Sequence, residues 1–187
     1  MISCSKIRPF GRYFLNATRL YLTAFPKIER HPVRELFEAS AAGKAEFLAL
    51  TDDDRFIGLA YMIVRGRTAF LLYFAVKDRL RNRGLGSRCL NAIQERYSGR
   101  DVVLLIESLY EKCNNLDIRT RRKGFYLRNG FHDSGLIQSS VGGEANYDIL
   151  STNPAFDREA YCQMLAEYPF KSYLEEIFPA DQTGRFI

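Results

Sequence analysis

Val76-Lys77-Asp78-Arg79-Leu80-Arg81-Asn82-Arg83-Gly84-Leu85-Gly86-Ser87 is the stretch on which the reading of this chain turns. The run Phe70 to Val76 that enters it is aromatic and β-branched and carries no charge, which predicts a buried strand. The run Leu85 to Tyr97 that leaves it repeats Leu85, Cys89 and Ile93 every four residues with Ala92 beside them, which predicts one face of a helix. Between them lies a basic loop ending in Gly-x-Gly-Ser. Glycines let the backbone turn tightly and bring amide N–H groups close to a ligand. The first turn of a helix presents unpaired amides with partial positive charge, which favours a phosphate. Arg81 and Arg83 add full charges. The loop is thus a pyrophosphate cradle, or else a tight strand-to-helix connection with solvated arginines. Two nucleotide motifs are excluded. Cys89 stands where a dinucleotide fold needs its third glycine, and no Gly-Lys-Ser/Thr follows.

Two further blocks lie downstream. Val102-Val103-Leu104-Leu105-Ile106-Glu107 is an apolar strand ending in a carboxylate, and Arg122-Lys123-Gly124-Phe125-Tyr126-Leu127-Arg128-Asn129-Gly130-Phe131 is a helix closed by glycine. The first block, as Val-x4-Arg-x2-Gly-x-Gly-Ser, resembles the coenzyme A loop of the GNAT superfamily, the acyl-CoA-dependent N-acyltransferases. The last is similar to the Phe-Tyr-x3-Gly-Phe segment that closes that fold, and the middle one looks like its fifth strand. The three blocks follow the family's order and approximate spacing. The resemblance covers roughly residues 10 to 150 and is tightest from Phe70 to Phe131.

The resemblance implies an α/β fold with a mixed, mostly antiparallel sheet, helices on both faces, and two central parallel strands that splay apart, here those ending at Val76 and Glu107. It implies acetyl-CoA as co-substrate and no metal. The pyrophosphate would rest on Arg81, Asn82, Arg83, Gly84, Leu85, Gly86 and Ser87, and the pantetheine arm would pair with the backbone of Phe74, Ala75 and Val76. Tyr126 would be the general acid that protonates the departing thiolate, since a phenol of pKa about 10 is protonated at neutral pH. Periodicity alone makes Tyr126 and Phe125 core aromatics of a helix over 118–129. Two carboxylates are candidates for the base. Glu107 ends a buried strand, where desolvation would raise its pKa, and Glu29 sits in Phe-Pro-x-x-Glu-Arg, near the substrate entrance by analogy. Each also reads as a solvated surface carboxylate, and Glu29 equally as a binder of a cationic substrate. The chain departs from the family at one position. Arg119 stands seven residues before Tyr126, where many members carry an asparagine that touches pantetheine. Asn114 or Asn115 could take that part; Asn115 is our candidate.

Composition sets outer bounds. The 187 residues suffice for one domain with a real core, and we expect a single N-acetyltransferase domain over 1–187, with 153–187 a helical C-terminal extension. The net charge of +5 would suit nucleic acid, but the arginines cluster near the glycine loop and in 119–128, which a charged nucleotide-like cofactor explains as well. The four cysteines form no C-x2-C pair and the histidines are only His31 and His132, which speaks against a structural zinc site and for free thiols in a reducing cytoplasm. Both histidines read as surface or capping residues. Cys89 and Cys113 have no identifiable histidine partner and read as structural. No apolar leader and no run of 18 apolar residues is visible, so membrane partners are not expected.

Along the chain, residues 10–24 are read as a first strand and the start of a helix. Pro32 opens a helix through Leu36 and Phe37 that Gly43 ends. Strands follow at 45–51, 56–64 and up to Val76, the first two joined by the Asp52-Asp53-Asp54 turn. A hairpin is expected from Phe131 to Ile137 and Asn146 to Leu150 around Gly142-Gly143, and the segments 156–165 and 173–178 are read as helical.

The leading reading is a cytoplasmic acetyl-CoA-dependent N-acetyltransferase. The amine attacks the thioester directly in a ternary complex, without a covalent enzyme intermediate. A non-catalytic acyl-CoA-binding or sensing module would keep the loop and lose the acid. A nucleic-acid-binding protein would interleave exposed aromatics with its arginines, whereas the apolar residues here fit helix and strand cores. Phe-Pro-x-x-Glu-Arg-x-Pro is loosely similar to small-amine acetyltransferases, which favours a small-molecule amine over a protein lysine or N-terminus. The segment 153–187 would pack on the domain, cover the acceptor site or join a homodimer.

Overall fold

The apolar run that ends at Val76 is a strand, and the amphipathic run from Leu85 is a helix. The structure, a computed structural model, describes residues 1–80, 83–109, 114–140, 145–167, 169–170 and 174–180. The chain divides into two units, Met1–Arg100 and Asp101–Ile187. The sequence shows no linker at this boundary.

In the first unit, β1 (Ile2–Lys6) leads through α1 (Phe14–Ala24), a 3-10 turn (Lys27–Glu29) and α2 (Val33–Ala41) to β2 (Glu46–Asp52), β3 (Arg55–Arg65) and β4 (Thr68–Val76), and α3 (Leu85–Arg96) closes it. The strands lie in the order β1-β2-β3-β4, all antiparallel. The first strand thus falls at 2–6, earlier than the expected 10–24, and Phe14–Ala24 is wholly helical. The aspartate turn is tight because Asp53 (φ 45°) and Asp54 (φ 62°) both take the left-handed conformation that two-residue hairpins require. Alternation along β2 places helices on both faces. Phe47 meets Tyr21 of α1 and Phe37 of α2. Its neighbour Glu46 turns to α3, taking Arg96 at 2.9 Å and the Tyr97 hydroxyl at 2.8 Å. Cys89, Leu90 and Ile93 form the buried face of α3. Burial pushes the Cys89 thiol up to about 12, which fits an inert packing residue.

In the second unit, β5 (Asp101–Glu107), α4 (Leu116–Leu127), β6 (His132–Ser140), β7 (Asn146–Ser151), α5 (Arg158–Ala166) and β8 (Leu174–Pro179) follow in turn. Within it the strands order as β5-β7-β6-β8, again antiparallel. Ile137 faces Asp148 and Gln138 faces Tyr147 across β6 and β7. Lys123 of α4 reaches Asp148, while Tyr161 of α5 donates to Gln138 Oε1 at 2.7 Å. The two helices therefore cover opposite faces. The α/β class with antiparallel pairing and helices on both faces holds. The C-terminal expectation needs correction. The segment is helical over Arg158–Ala166, but Leu174–Pro179 is a strand, because its backbone pairs with β6 from Leu136↔Pro179 to Ser140↔Leu174. Spacing alone does not separate a short apolar helix from an edge strand; the available partner does.

Candidate active site

In the first unit the candidate residues are held by backbone. β4 carries a bulge: Tyr61 pairs with Tyr73 but Met62 with Leu71, so Leu72 is the extra residue. Beyond it Phe74, Ala75 and Val76 pair with Ala60, Leu59 and Gly58. A Cβ on Gly58 would lie 2.5 Å from the Ala75 oxygen, so only glycine lets β3 approach β4 this closely. Ala75 and Val76 are buried and Phe74 is half-buried. The chain then turns through Asp78–Leu80, with Leu80 N–H on the Lys77 oxygen. The candidates Arg81 and Asn82, which come next, lie outside the described residues. Arg83 and Gly84 are exposed, and Leu85, Gly86 and Ser87 are half-buried.

Gly84 caps α3 with φ +70° and no side-chain hydrogen bond. Open space surrounds it, so conformation rather than crowding selects glycine. The first intrahelical bond runs from Arg88 N–H to the Gly84 oxygen, which leaves the amides of Leu85, Gly86 and Ser87 without described partners. No acidic residue occupies the first turn of α3. The dipole is therefore uncompensated, and the turn suits a phosphate. Glu29 lies exposed on the 3-10 turn before α2, and its backbone oxygen accepts the Tyr73 hydroxyl at 2.7 Å. His31, read as a surface or capping residue, is buried, and burial lowers its pKa to about 4. It is neutral at physiological pH but too weakly basic to draw a proton from an ammonium ion.

In the second unit the candidate residues are held by side chains. Tyr126 is half-buried near the end of α4, its ring packed edge-on against Phe125 (5.2 Å) and Phe131 (5.7 Å). Its hydroxyl hydrogen-bonds to none of the described residues. Burial pushes its pKa up to about 12, and the Arg122 guanidinium pulls the other way. Glu107 is 30% exposed and accepts Arg122 Nη1 at 2.6 Å on one oxygen, while Arg119 Nη2 stands 3.5 Å from the other. Desolvation is therefore not its setting: both oxygens face guanidinium groups that tie β5 to α4. Arg119, only 12% exposed, also donates to the Ser108 oxygen (2.7 Å) and to Asn115 Oδ1 (3.0 Å). Asn115 thus begins α4 with its side-chain oxygen already engaged. Lys123 Nζ bridges Asp133 (2.5 Å) and the buried Asp148 (2.7 Å). Desolvation opposes its charge, but those two carboxylates prevail and raise its pKa.

The structure thus brings Phe74 to Val76 and Gly84 to Ser87 into one strand–loop–helix unit, and joins Glu107 and Asn115 through Arg119, while Tyr126 lies one turn beyond Arg122 on α4 and packs on Phe125 and Phe131. The sequence reading missed the Leu72 bulge, the Tyr73 contacts and the Lys123 bridge. The only signal for the last was the dense charge of 119–123. Among the described residues no group of three or more His, Cys, Asp or Glu could hold a metal ion. No described helix is long and apolar enough to cross a membrane.

Residues 43–133 match the family model of the acetyltransferase (GNAT) domain. Over that stretch, just under half of the chain, the sequence is similar to the GNAT acetyltransferases. Solved structures agree in fold. A GNAT-family protein from Bacteroides thetaiotaomicron is 23% identical, with 87% of this chain and 92% of that one covered and a TM-score of 0.71. An aminoglycoside 6'-N-acetyltransferase complexed with coenzyme A is 16% identical over 82% of this chain and 99% of that one, TM-score 0.61. The ribosomal-protein-S18-alanine N-acetyltransferase from Escherichia coli is 17% identical over 85% and 97%, TM-score 0.56. No curated protein matches the chain. The match supports an acetyl-CoA-dependent acyltransferase, and the uncapped first turn of α3 is chemically suited to a phosphate group.

Proposed function

We propose that the chain transfers the acetyl group of acetyl-CoA to the primary amine of a small molecule by direct attack in a ternary complex. The observation that carries the donor half is the start of α3. Gly84 at φ +70° opens a helix with no side-chain cap and no first-turn acid, so the amides of Leu85, Gly86 and Ser87 are available to a pyrophosphate. Arg83 supplies charge beside them, and the backbone of Phe74 to Val76 pairs with the pantetheine arm. One structural neighbour is named for an aminoglycoside and another for a ribosomal protein. The Phe25-Pro26-x-x-Glu29-Arg30 segment is what turns the reading toward a small amine.

The amine nitrogen attacks the carbonyl carbon, the C–S bond breaks, the amine proton leaves to solvent, and the thiolate must be neutralised. Tyr126 serves that last step. A thiol has a pKa of about 8.5 against about 12 for Tyr126, so complete proton transfer is uphill by about 5 kcal/mol. Tyr126 accordingly acts first as a hydrogen-bond donor to the developing sulfur charge, and water completes the protonation. Glu107 is assigned to holding Arg122, since both its oxygens face arginines. Thiol release from acetyl-CoA, screened over a panel of small amines and peptides beside Tyr126→Phe, tests the proposal. A small amine turned over by the wild type, with kcat reduced in the variant, supports it. Turnover of peptides alone contradicts the acceptor assignment.

A further inference from the structure

Alternation along β2 turns Glu46, Leu48, Leu50 and Asp52 to one face, the face that carries α3. The bulge between β2 and β3 puts its extra residue, Ile57, on β3, so the alternation of β2 runs unbroken to Asp52. The middle of that face is apolar. Leu48 and Leu50 are fully buried, as are Cys89, Leu90 and Ile93 on α3. Its two ends are charged. Glu46 takes Arg96 at 2.9 Å and the Tyr97 hydroxyl at 2.8 Å. Asp52 takes Arg88 with both oxygens, Nη2 on Oδ1 at 3.1 Å and Nη1 on Oδ2 at 3.3 Å. Asp52 Oδ1 also receives the Met1 ammonium at 3.2 Å, which Asp53 holds at 2.8 Å. α3 thus runs antiparallel to β2 and is tied at each end. Glu46 and Asp52 stand about 20 Å apart along the strand, whereas Arg88 and Arg96 are about 12 Å apart along the helix. The two guanidinium groups therefore reach outward in opposite directions, and a slide of α3 either way stretches one of them. The first turn has little else to hold it. It opens on Gly84, contains Gly86, a poor helix former, and has no side-chain cap and no acid. A cap would occupy amides that a phosphate needs. Arg88 is the first side chain of α3 with a described hydrogen bond to the sheet, and its own N–H closes the turn on the Gly84 oxygen at 3.2 Å.

We propose that Asp52 is a positioning residue: through Arg88 it holds the first turn of α3 in place of a cap, and so sets the amides of Leu85, Gly86 and Ser87 for the pyrophosphate without covering them. The inference rests on the acetyltransferase reading and concerns how the donor is held. Asp52 acts here against its own charge. A carboxylate near a phosphate site disfavours the anion, so by Coulomb's law alone its removal would tighten binding. A tie has the opposite sign, because a frayed turn must be ordered anew by each ligand that binds. Asp52 is 28% exposed and Arg88 50%, so the effect is modest.

The probe is acetyl-CoA, titrated calorimetrically into the wild type, Asp52→Asn, Arg88→Gln, their double variant and Asp52→Glu. Asp52→Asn weakens binding about fivefold with the melting transition retained. Arg88→Gln leaves the Met1 ammonium on Asp52 and weakens binding alike, and the double variant weakens it no further. Asp52→Glu, whose carboxylate still reaches Arg88, binds as the wild type does. Amide exchange of Arg88 and Cys89 quickens in both Asp52→Asn and Arg88→Gln, while that of Ile93 to Arg96, beside the Glu46 tie, stays as it was. Equal or tighter binding by Asp52→Asn, losses that multiply in the double variant, unchanged exchange at Arg88 and Cys89, or a loss in Asp52→Glu as large as in Asp52→Asn would overturn the proposal. Arg88→Gln, at a side chain half in solvent, carries the exchange test even where Asp52→Asn does not fold. A wild type that binds acetyl-CoA while the variants behave in any of these contrary ways overturns the tie alone. A folded wild type that does not bind acetyl-CoA removes the acetyltransferase reading beneath it.

Discussion

The start of α3 and the face of α4 are two ways of building a candidate site. At α3 the groups offered to a ligand are backbone amides, and what shapes them is one left-handed glycine and the lack of a cap. At α4 they are side chains, and each is held by a partner distant in sequence: Arg122 by Glu107, Lys123 by Asp133 and Asp148, Arg119 by the Ser108 oxygen. The first kind tolerates varied side chains and fails when the backbone cannot turn. The second fails one charge at a time, and each loss leaves a partner stranded.

The contrast is broken most strongly at Tyr126. Tyr126→Phe keeps the packing on Phe125 and Phe131 and removes only the hydroxyl. We expect kcat to fall about 10²–10³-fold with acetyl-CoA affinity unchanged, measured by thiol release and calorimetry. An equal loss of affinity would mean that Tyr126 belongs to binding. Next comes Lys123→Met, which strands the buried Asp148 carboxylate, already short of a partner on Oδ1. The expected cost is about 4 kcal/mol, a fall in Tm on the order of 10 °C. The raised Lys123 pKa means that this stabilisation is fully present below the ordinary lysine value of 10.5 and is lost as pH rises through the higher folded value.

The acid side belongs to the first unit. His31 has its pKa lowered from 6.5 to about 4 by burial, so the unfolded chain binds the proton more readily. Stability is complete above 6.5 and declines as pH falls toward 4, by up to about 3 kcal/mol. Chemical denaturation of wild type and His31→Gln across that range measures it, and an equal slope in both would refute the assignment. The smallest effect is expected at Glu107→Gln. A lost general base costs about 10²–10⁴-fold in rate, whereas a lost tether for Arg122 costs less than about tenfold, with about 1 kcal/mol of stability. A large fall in kcat with unchanged Tm would restore Glu107 as the base.

What could be read in the sequence follows the same division. The strand–loop–helix unit was legible because its logic is local: glycine spacing, a preceding apolar run and a following amphipathic one lie within about one supersecondary unit. Strands β2 to β5 were legible for the same reason, through alternation and turn residues. β1 was placed too late, because Ile2–Lys6 alternates weakly and gains its order from pairing with β2. β8 was read as helix, because its apolar spacing fits both periods and only β6 decides. At α4 the resemblance pointed to Tyr126, but the sequence could not show that Glu107 faces two arginines rather than a dry pocket. His31 likewise read as a surface or capping residue, since nothing local foretells that Tyr73, 42 positions away, will take its N–H.

The most direct test of the central claim is calorimetric titration of acetyl-CoA into the wild type and into the Gly84→Glu/Gly86→Glu double variant. Glutamate at 84 strains a φ of +70°, and two carboxylates at the start of α3 repel the pyrophosphate. We expect micromolar binding by the wild type and a loss of at least about 100-fold in the variant with its melting transition retained. Equal binding by both proteins, or none by a folded wild type, would contradict a cofactor site at the start of α3.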